Sequence, residues 1–258
     1  MGIYDGIILC SDMDGTMTDS RGVISKKNAD AIRYFQQNGG LFTVATGRPP
    51  SHPEKFSDIF VCNTYIIALN GSVIFDPKTR KFIEKHPLED GAKYDIKKII
   101  ETFPDAGQIQ IHTEKNLFIK EDGEDADCFL GRIDERMFDI MFIQNREKTA
   151  ELKDSLPKAF PDYKFCRSWS EGIEMFSSKA GKGNAVMKAK SLTNSRLAVS
   201  AGNYDNDIEM LRMADIGICV KGSSKETTEA ADIMTVSCDE DALAVIIGEL
   251  KKEKPFLI

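Results

Sequence analysis

Two aspartates one residue apart, Asp12 and Asp14, follow the apolar run Ile7-Ile8-Leu9-Cys10 and are themselves followed by Gly15 and Thr16. A short apolar run that ends abruptly in carboxylates reads as a buried parallel strand delivering chemistry at its C-terminal edge. Carboxylate oxygens there suit a hard metal ion, and phosphate chemistry fits the same place. If the chain stays extended, the period of two points both carboxylates one way; a turn at Gly15 would bring in a backbone carbonyl instead. A plain solvated turn is the competing reading of Asp-x-Asp-Gly. A calcium loop of the helix-loop-helix type is excluded, because its required glycine and glutamate fall on Met17 and Val23.

Other segments decide between turn and site. Thr46-Gly47-Arg48 follows Leu41-Phe42-Thr43-Val44-Ala45, and Asn70-Gly71 follows Tyr65-Ile66-Ile67-Ala68-Leu69. Lys182-Gly183 opens a helical pattern, where a cation opposes the helix dipole and so calls for a reason other than helix stability. Gly202-Asn203-Tyr204-Asp205-Asn206-Asp207 follows the strand pattern around Leu197-Ala198-Val199. Together these supply carboxylates, a hydroxyl and a lysine at strand ends. That mixture suits magnesium-assisted phosphoryl transfer, which needs oxygen ligands for the cation and donors for the phosphoryl oxygens.

The elements that must position these groups alternate between strand and helix. Ser25 caps a helix with Ala29, Ile32 and Phe35 at helical spacing, ended by Gly39-Gly40. After the turn signal Asp76-Pro77-Lys78 the pattern changes. Strands are expected at 108–113, 117–120, 138–143, 164–169 and 173–176, with helices near 90–103 and 146–160. From Lys182 the alternation resumes, with a helix at 182–191, one from Asn206, a short one near 224–231, a strand at 233–236 and a terminal amphipathic helix through Leu243, Ile246, Ile247 and Leu250. Asn206 and Glu209 have capping-box spacing, which puts Asp207 in a first turn. The fold class is α/β: a doubly wound, mostly parallel Rossmann-like core from residues 1–82 and 178–258, interrupted by an inserted α/β cap domain at 83–177.

Composition narrows the partners. A chain of 258 residues with 41% hydrophobic and 29% charged residues is ordinary globular material, and a net charge of −7 without a basic block argues against nucleic acid. No apolar stretch reaches membrane-spanning length and no secretory leader is evident, so a cytoplasmic protein acting on small molecules is expected. Six scattered cysteines without paired spacing read as reduced thiols.

With its four strand-end motifs in order and a cap-sized insertion between the second and third, the chain resembles the haloacid dehalogenase superfamily, specifically the Cof-type sugar-phosphatase branch with a large α/β cap. The resemblance implies a phosphatase for a small phosphorylated metabolite. Asp12 would be the nucleophile that forms an aspartyl-phosphate, and Asp14 the general acid and then base. Thr46 and Gly47 would hold phosphoryl oxygens, and Lys182 would offset charge between nucleophile and phosphate. Mg2+ would be held by Asp12, Asp14, the first residue after Gly202 and Asp207. Arg48 and Asn70 would face the substrate. The resemblance reaches the cap only in size and strand-helix content, so for His112, Arg167 and Trp169 packing is the favoured reading and substrate contact the alternative.

One position departs from the family pattern. The residue after Gly202 is normally an acid, and here it is Asn203. An amide keeps a carbonyl oxygen but loses the negative charge that helps hold magnesium, so metal affinity should fall. Two functions therefore stand side by side: a magnesium-dependent phosphatase, and a catalytically weak phospho-ligand binder. A mutase-like phosphoryl transfer is a third, with no second phosphate acceptor identified in the sequence.

Overall fold

The computed structural model describes residues 2–103 and 107–251. Strand β1 (Ile7–Ser11) is buried at every position, which is why its sequence is a continuous apolar run rather than an alternating one. Helix α1 (Lys26–Gln37) starts where expected, with the Ser25 hydroxyl accepting from Asn28 N–H. It leads to β2 (Leu41–Val44), the short helix α2 (Ser51–Glu54) and β3 (Ile66–Ala68). A hairpin of β4 (Val73–Asp76) and β5 (Lys81–Lys85) follows, with Asp76-Pro77-Lys78 in its turn.

The middle of the chain supplies α3 (Ala92–Thr102), β6 (Gln108–Thr113), β7 (Leu117–Ile119), α4 (Ala126–Gly131), β8 (Met137–Ile143), α5 (Arg146–Ala159), β9 (Tyr163–Trp169) and β10 (Gly172–Ser177). The last part supplies α6 (Lys182–Leu192), β11 (Leu197–Gly202), α7 (Ile208–Met213), β12 (Ile216–Cys219), α8 (Lys225–Ala230), β13 (Ile233–Met234) and α9 (Ala242–Leu250).

The chain divides into two compact units, Met1–Glu84 with Gly181–Ile258, and Lys85–Ala180. The first is built on a five-stranded parallel sheet of order β13-β12-β11-β1-β2. Its core joins Ile8 and Cys10 of β1 to Ala185, Val186 and Ala189 of α6 and to Ala198 and Met210. The register matters for function: Ser11 lies opposite Ala201 on one side and Val44 on the other, so β1, β11 and β2 all end level.

The third apolar run departs from its expected place in that parallel sheet. It meets β2 only at one parallel bridge, Ala45 to Ile67, and otherwise belongs to an antiparallel sheet of order β3-β4-β5. The tight turn at Leu69–Gly71 folds the chain straight back, so β4 takes the hydrogen bonds a parallel neighbour would have used.

The second unit is a five-stranded antiparallel sheet of order β7-β6-β8-β10-β9. Ile109, Ile111, Ile140, Phe142, Ile173 and Met175 alternate onto one face and pack with Ile96 and Ile99 of α3, Phe129 of α4, and Leu152 and Leu156 of α5. All six cysteines are free thiols, Cys10 and Cys219 being buried. No helix among the described residues is long and apolar enough to cross a membrane.

Candidate active site at the strand ends

Because β1, β11 and β2 stop together, the residues that follow them emerge side by side. Asp12 N–H donates to Ala201 O at 2.8 Å and Ala45 N–H to Ser11 O at 2.8 Å, extending both ladders one residue past the strands. Beyond Asp12 the chain does not stay extended. It turns at Asp14 (φ −73°, ψ 111°) and Gly15 (φ 76°), so the strand-like pairing of the two carboxylates gives way to a tight loop. Gly15 is required twice over. Its φ is left-handed, and a Cβ there would lie 2.5 Å from Asn203 Nδ2. Thr18 braces the loop, its hydroxyl accepting from Gly15 N–H and donating to Met13 O.

Lys182 is the centre of the arrangement. Its ammonium, with the side chain wholly buried, donates to Asp12 Oδ1 at 2.8 Å and Asp207 Oδ1 at 2.7 Å. Burial alone would pull the ammonium down, but the two carboxylates outweigh it and hold Lys182 above its ordinary value. One cation cannot neutralise two buried carboxylates. Burial first, and then the charge of Asp207, raise Asp12 to about 7 against the opposing pull of Lys182.

Asp207 is fully buried and both its oxygens are engaged: Oδ1 by Lys182, Oδ2 by Asn203 N–H at 2.8 Å and Tyr204 N–H at 3.1 Å. The capping carboxylate of this turn is therefore Asp207 and not the Asn206–Glu209 pair suggested by spacing, because the chain enters a short 3-10 turn at Asp205–Asp207 before α7. Asp14 reaches a more exposed partner, accepting from Arg48 Nε at 3.0 Å with both side chains about half exposed.

Thr46 is buried, and its hydroxyl accepts from Arg48 N–H at 3.1 Å, which leaves its own proton for another acceptor. Gly47 lies between them in the same turn. Asn70, buried with a left-handed φ of 52°, receives Asn206 Nδ2 on its Oδ1 and donates its N–H to Thr46 O. Gly71 beside it comes so close to the start of α6 that a Cβ would lie 2.3 Å from Gly181 O. This contact sets the approach of the helix that carries Lys182.

Asp12, Asp14, Thr46, Gly47, Arg48, Asn70, Lys182, Asn203 and Asp207 are thus gathered into one unit by bonds among themselves and their loops. The residues of the second unit are placed otherwise. His112 lies on β6 opposite Asp139, Arg167 on β9 opposite Ile173, and the Trp169 ring sits against Gly172, where a Cβ would clash with it. Three positioning residues escape the sequence, in which Asn206 reads only as a helix cap. Asn28 donates to Met17 O and accepts from Ala244 N–H, tying the Asp12 loop to α9; Asn206 reaches Asn70; and Thr18 needed the turn to be known before its hydroxyl had a role.

The donors that could hold a cation are oxygens throughout: the Asp12 carboxylate, the Asn203 amide and the carbonyls of Asp14 and Gly15, that of Met13 being taken by Thr18. Of the other two expected ligands, the Asp14 carboxylate is engaged by Arg48, and Asp207 by Lys182 and two backbone N–H groups. The oxygen donors fit a hard, partly hydrated ion. It is a lean set, since no three His, Cys, Asp or Glu side chains among the described residues converge as a cage.

Level strand ends with two buried carboxylates bridged by a lysine beyond them mark a doubly wound α/β core whose charged groups gather at one edge, and comparison with known proteins gives the family. Residues 9–247 match the haloacid dehalogenase-like hydrolases, and the chain belongs to that family. It is 26% identical to YxeH of Bacillus subtilis, over 94% of this chain and 97% of that protein. It is 23% identical to phosphatase YwpJ of the same organism, over 94% and 99%. Its fold superposes on the subclass IIB sugar phosphatase BT4131 with a TM-score of 0.77 at 18% identity, over 93% of this chain and 97% of that one.

Proposed function

We propose that the chain is a magnesium-dependent hydrolase of small phosphomonoesters that works through an aspartyl-phosphate at Asp12. The observation that carries this reading is the buried Asp12–Lys182–Asp207 bridge at the end of β1. A buried lysine at the first turn of a helix opposes the helix dipole, so its place is explained by charge it must balance and not by helix stability.

In this reading Lys182 fixes one oxygen of Asp12 and presents the other to phosphorus. The Thr46 hydroxyl, turned by the bond it accepts from Arg48 N–H, donates to a phosphoryl oxygen, and Gly47 allows close backbone approach. Asp14, on the exposed side of the loop and held by Arg48, delivers a proton to the leaving alcohol and afterwards removes one from water. Asp207 acts at one remove, locking Lys182 and the Asn203 loop in place. Magnesium, held by Asp12, Asn203 and a carbonyl of the 13–15 turn, would supply charge neutralisation for the phosphoryl oxygens. The inserted unit would serve as a cap that reads the organic part of the substrate, with a sugar phosphate as the favoured class because the fold neighbour BT4131 is a sugar phosphatase.

Asn203 is the observation that favours the second reading, a phospho-ligand binder with little turnover. Phosphate release from a chromogenic monoester, with and without magnesium, separates the two. Metal-dependent release by the wild type and none above background by Asp12→Asn supports the phosphatase. An inactive wild type at millimolar magnesium whose activity appears in Asn203→Asp supports the binder.

A further inference from the structure

The carboxylates of the proposed site are largely engaged by the protein itself. Asp207 has both oxygens occupied, by Lys182 on one and by two backbone N–H groups on the other. Asp14 accepts from Arg48 Nε, and Asp12 gives one oxygen to Lys182. Three carboxylates face two cations, leaving a single net negative charge in the cluster. Beside Gly15 lies Asn203, a neutral amide at the position where the family pattern has an acid, and the further acid of that loop, Asp205, accepts from the Ser224 hydroxyl at 3.3 Å. A cation arriving alone would find one carboxylate oxygen and neutral carbonyls, a poor exchange for the water that magnesium gives up reluctantly.

A phosphoryl dianion changes that balance. It brings the anionic oxygens the protein lacks, and the cation in turn offsets the repulsion between the dianion and the net negative charge of the cluster. We propose that this chain captures its divalent cation only jointly with the phosphoryl group of its ligand, Asn203 having removed the charge that would hold the metal in the free protein. The inference rests on the phosphatase reading of this site. It adds a regulatory consequence: occupancy by metal follows the supply of phosphorylated ligand.

Coupling between two ligands is reciprocal, which gives the test an internal check. Calorimetric titration of the full-length protein with Mg2+ alone, inorganic phosphate alone, and each in the presence of the other yields both factors. The expected result in the wild type is a gain of about ten- to a hundredfold in Mg2+ affinity when phosphate is saturating, and the same factor for phosphate in saturating Mg2+. In Asn203→Asp, Mg2+ alone should bind at least about tenfold more tightly than to the wild type, with a smaller coupling factor. Equal Mg2+ affinity with and without phosphate in the wild type overturns the inference and leaves the phosphatase reading intact. No phosphate binding under any condition removes that reading and the inference with it. The wild-type titrations need no variant, so a misfolded Asn203→Asp leaves the test standing.

Discussion

Replacing Lys182 with methionine keeps the length of the buried stem and removes the charge between Asp12 and Asp207. The lysine side chain has no exposure, Asp207 has none and Asp12 has 9%, so water cannot take the place of the lost cation. Breaking a buried ion pair by deleting one partner costs roughly 3–5 kcal/mol, because the remaining charges are left uncompensated. For a domain of 150–250 residues each kcal/mol moves the melting temperature by about 2–4 °C, so a downward shift of roughly 6–20 °C is expected. The penalty should depend on pH with a defined sign. Asp12 already sits at about 7, above the unfolded carboxylate value of about 3.9, and loss of Lys182 drives it higher. A group raised on folding binds its proton first in the folded state, so the loss is full above its raised value and shrinks as pH falls toward 5. Differential scanning calorimetry at pH 5 and pH 8 measures it, and adding Asp207→Asn should recover part of the loss at pH 8. A shift below about 3 °C, or one equal at both pH values, would refute the electrostatic account of this bridge.

Two other substitutions probe the scaffold. Gly71→Ala forces a residue with a side chain into a φ of 82° and against Gly181 O, so it should cost roughly 2–5 kcal/mol in urea unfolding and lower turnover by displacing Lys182; unchanged stability would show that this approach is not tight. Asp215 is held below the usual carboxylate range: burial would raise it, but Ala198 N–H and Lys190 outweigh that. Its contribution is present above the unfolded value and lost as pH falls through the depressed one, so Asp215→Asn should cost about 1–2 kcal/mol at pH 7 and progressively less as pH falls below the unfolded carboxylate value of about 3.9. A penalty that grows on acidification would contradict that sign.

The strands that end at the site were legible because burial on both faces leaves a continuous apolar run, as in Ile7–Ser11 and Leu41–Val44. Helix α1 was legible through its Ser25 cap. The β4–β5 hairpin was not: β5 alternates exposed and half-buried residues, Lys81 to Lys85, and lacks the apolar signal of a core strand. Helix α4 escaped because six residues are too few for a periodic pattern, although Asp125 caps it with two accepted N–H bonds. Within the site the residue types were readable, but their partners were not. Nothing in the order Asp205-Asn206-Asp207 says that Asp207 accepts from two backbone amides while also meeting a lysine from α6, because that depends on where the strands stop.

The central claim is that Asp12 carries the phosphoryl group. Acid quenching during turnover of a phosphomonoester, followed by hydride reduction and peptide mass spectrometry, tests it directly, because an acyl-phosphate at Asp12 is reduced to homoserine whereas a free carboxylate is not. Homoserine at position 12, dependent on substrate and lost when phosphate release is complete, is the expected result. Sustained phosphate release with Asp12 unreduced at every time point would contradict it.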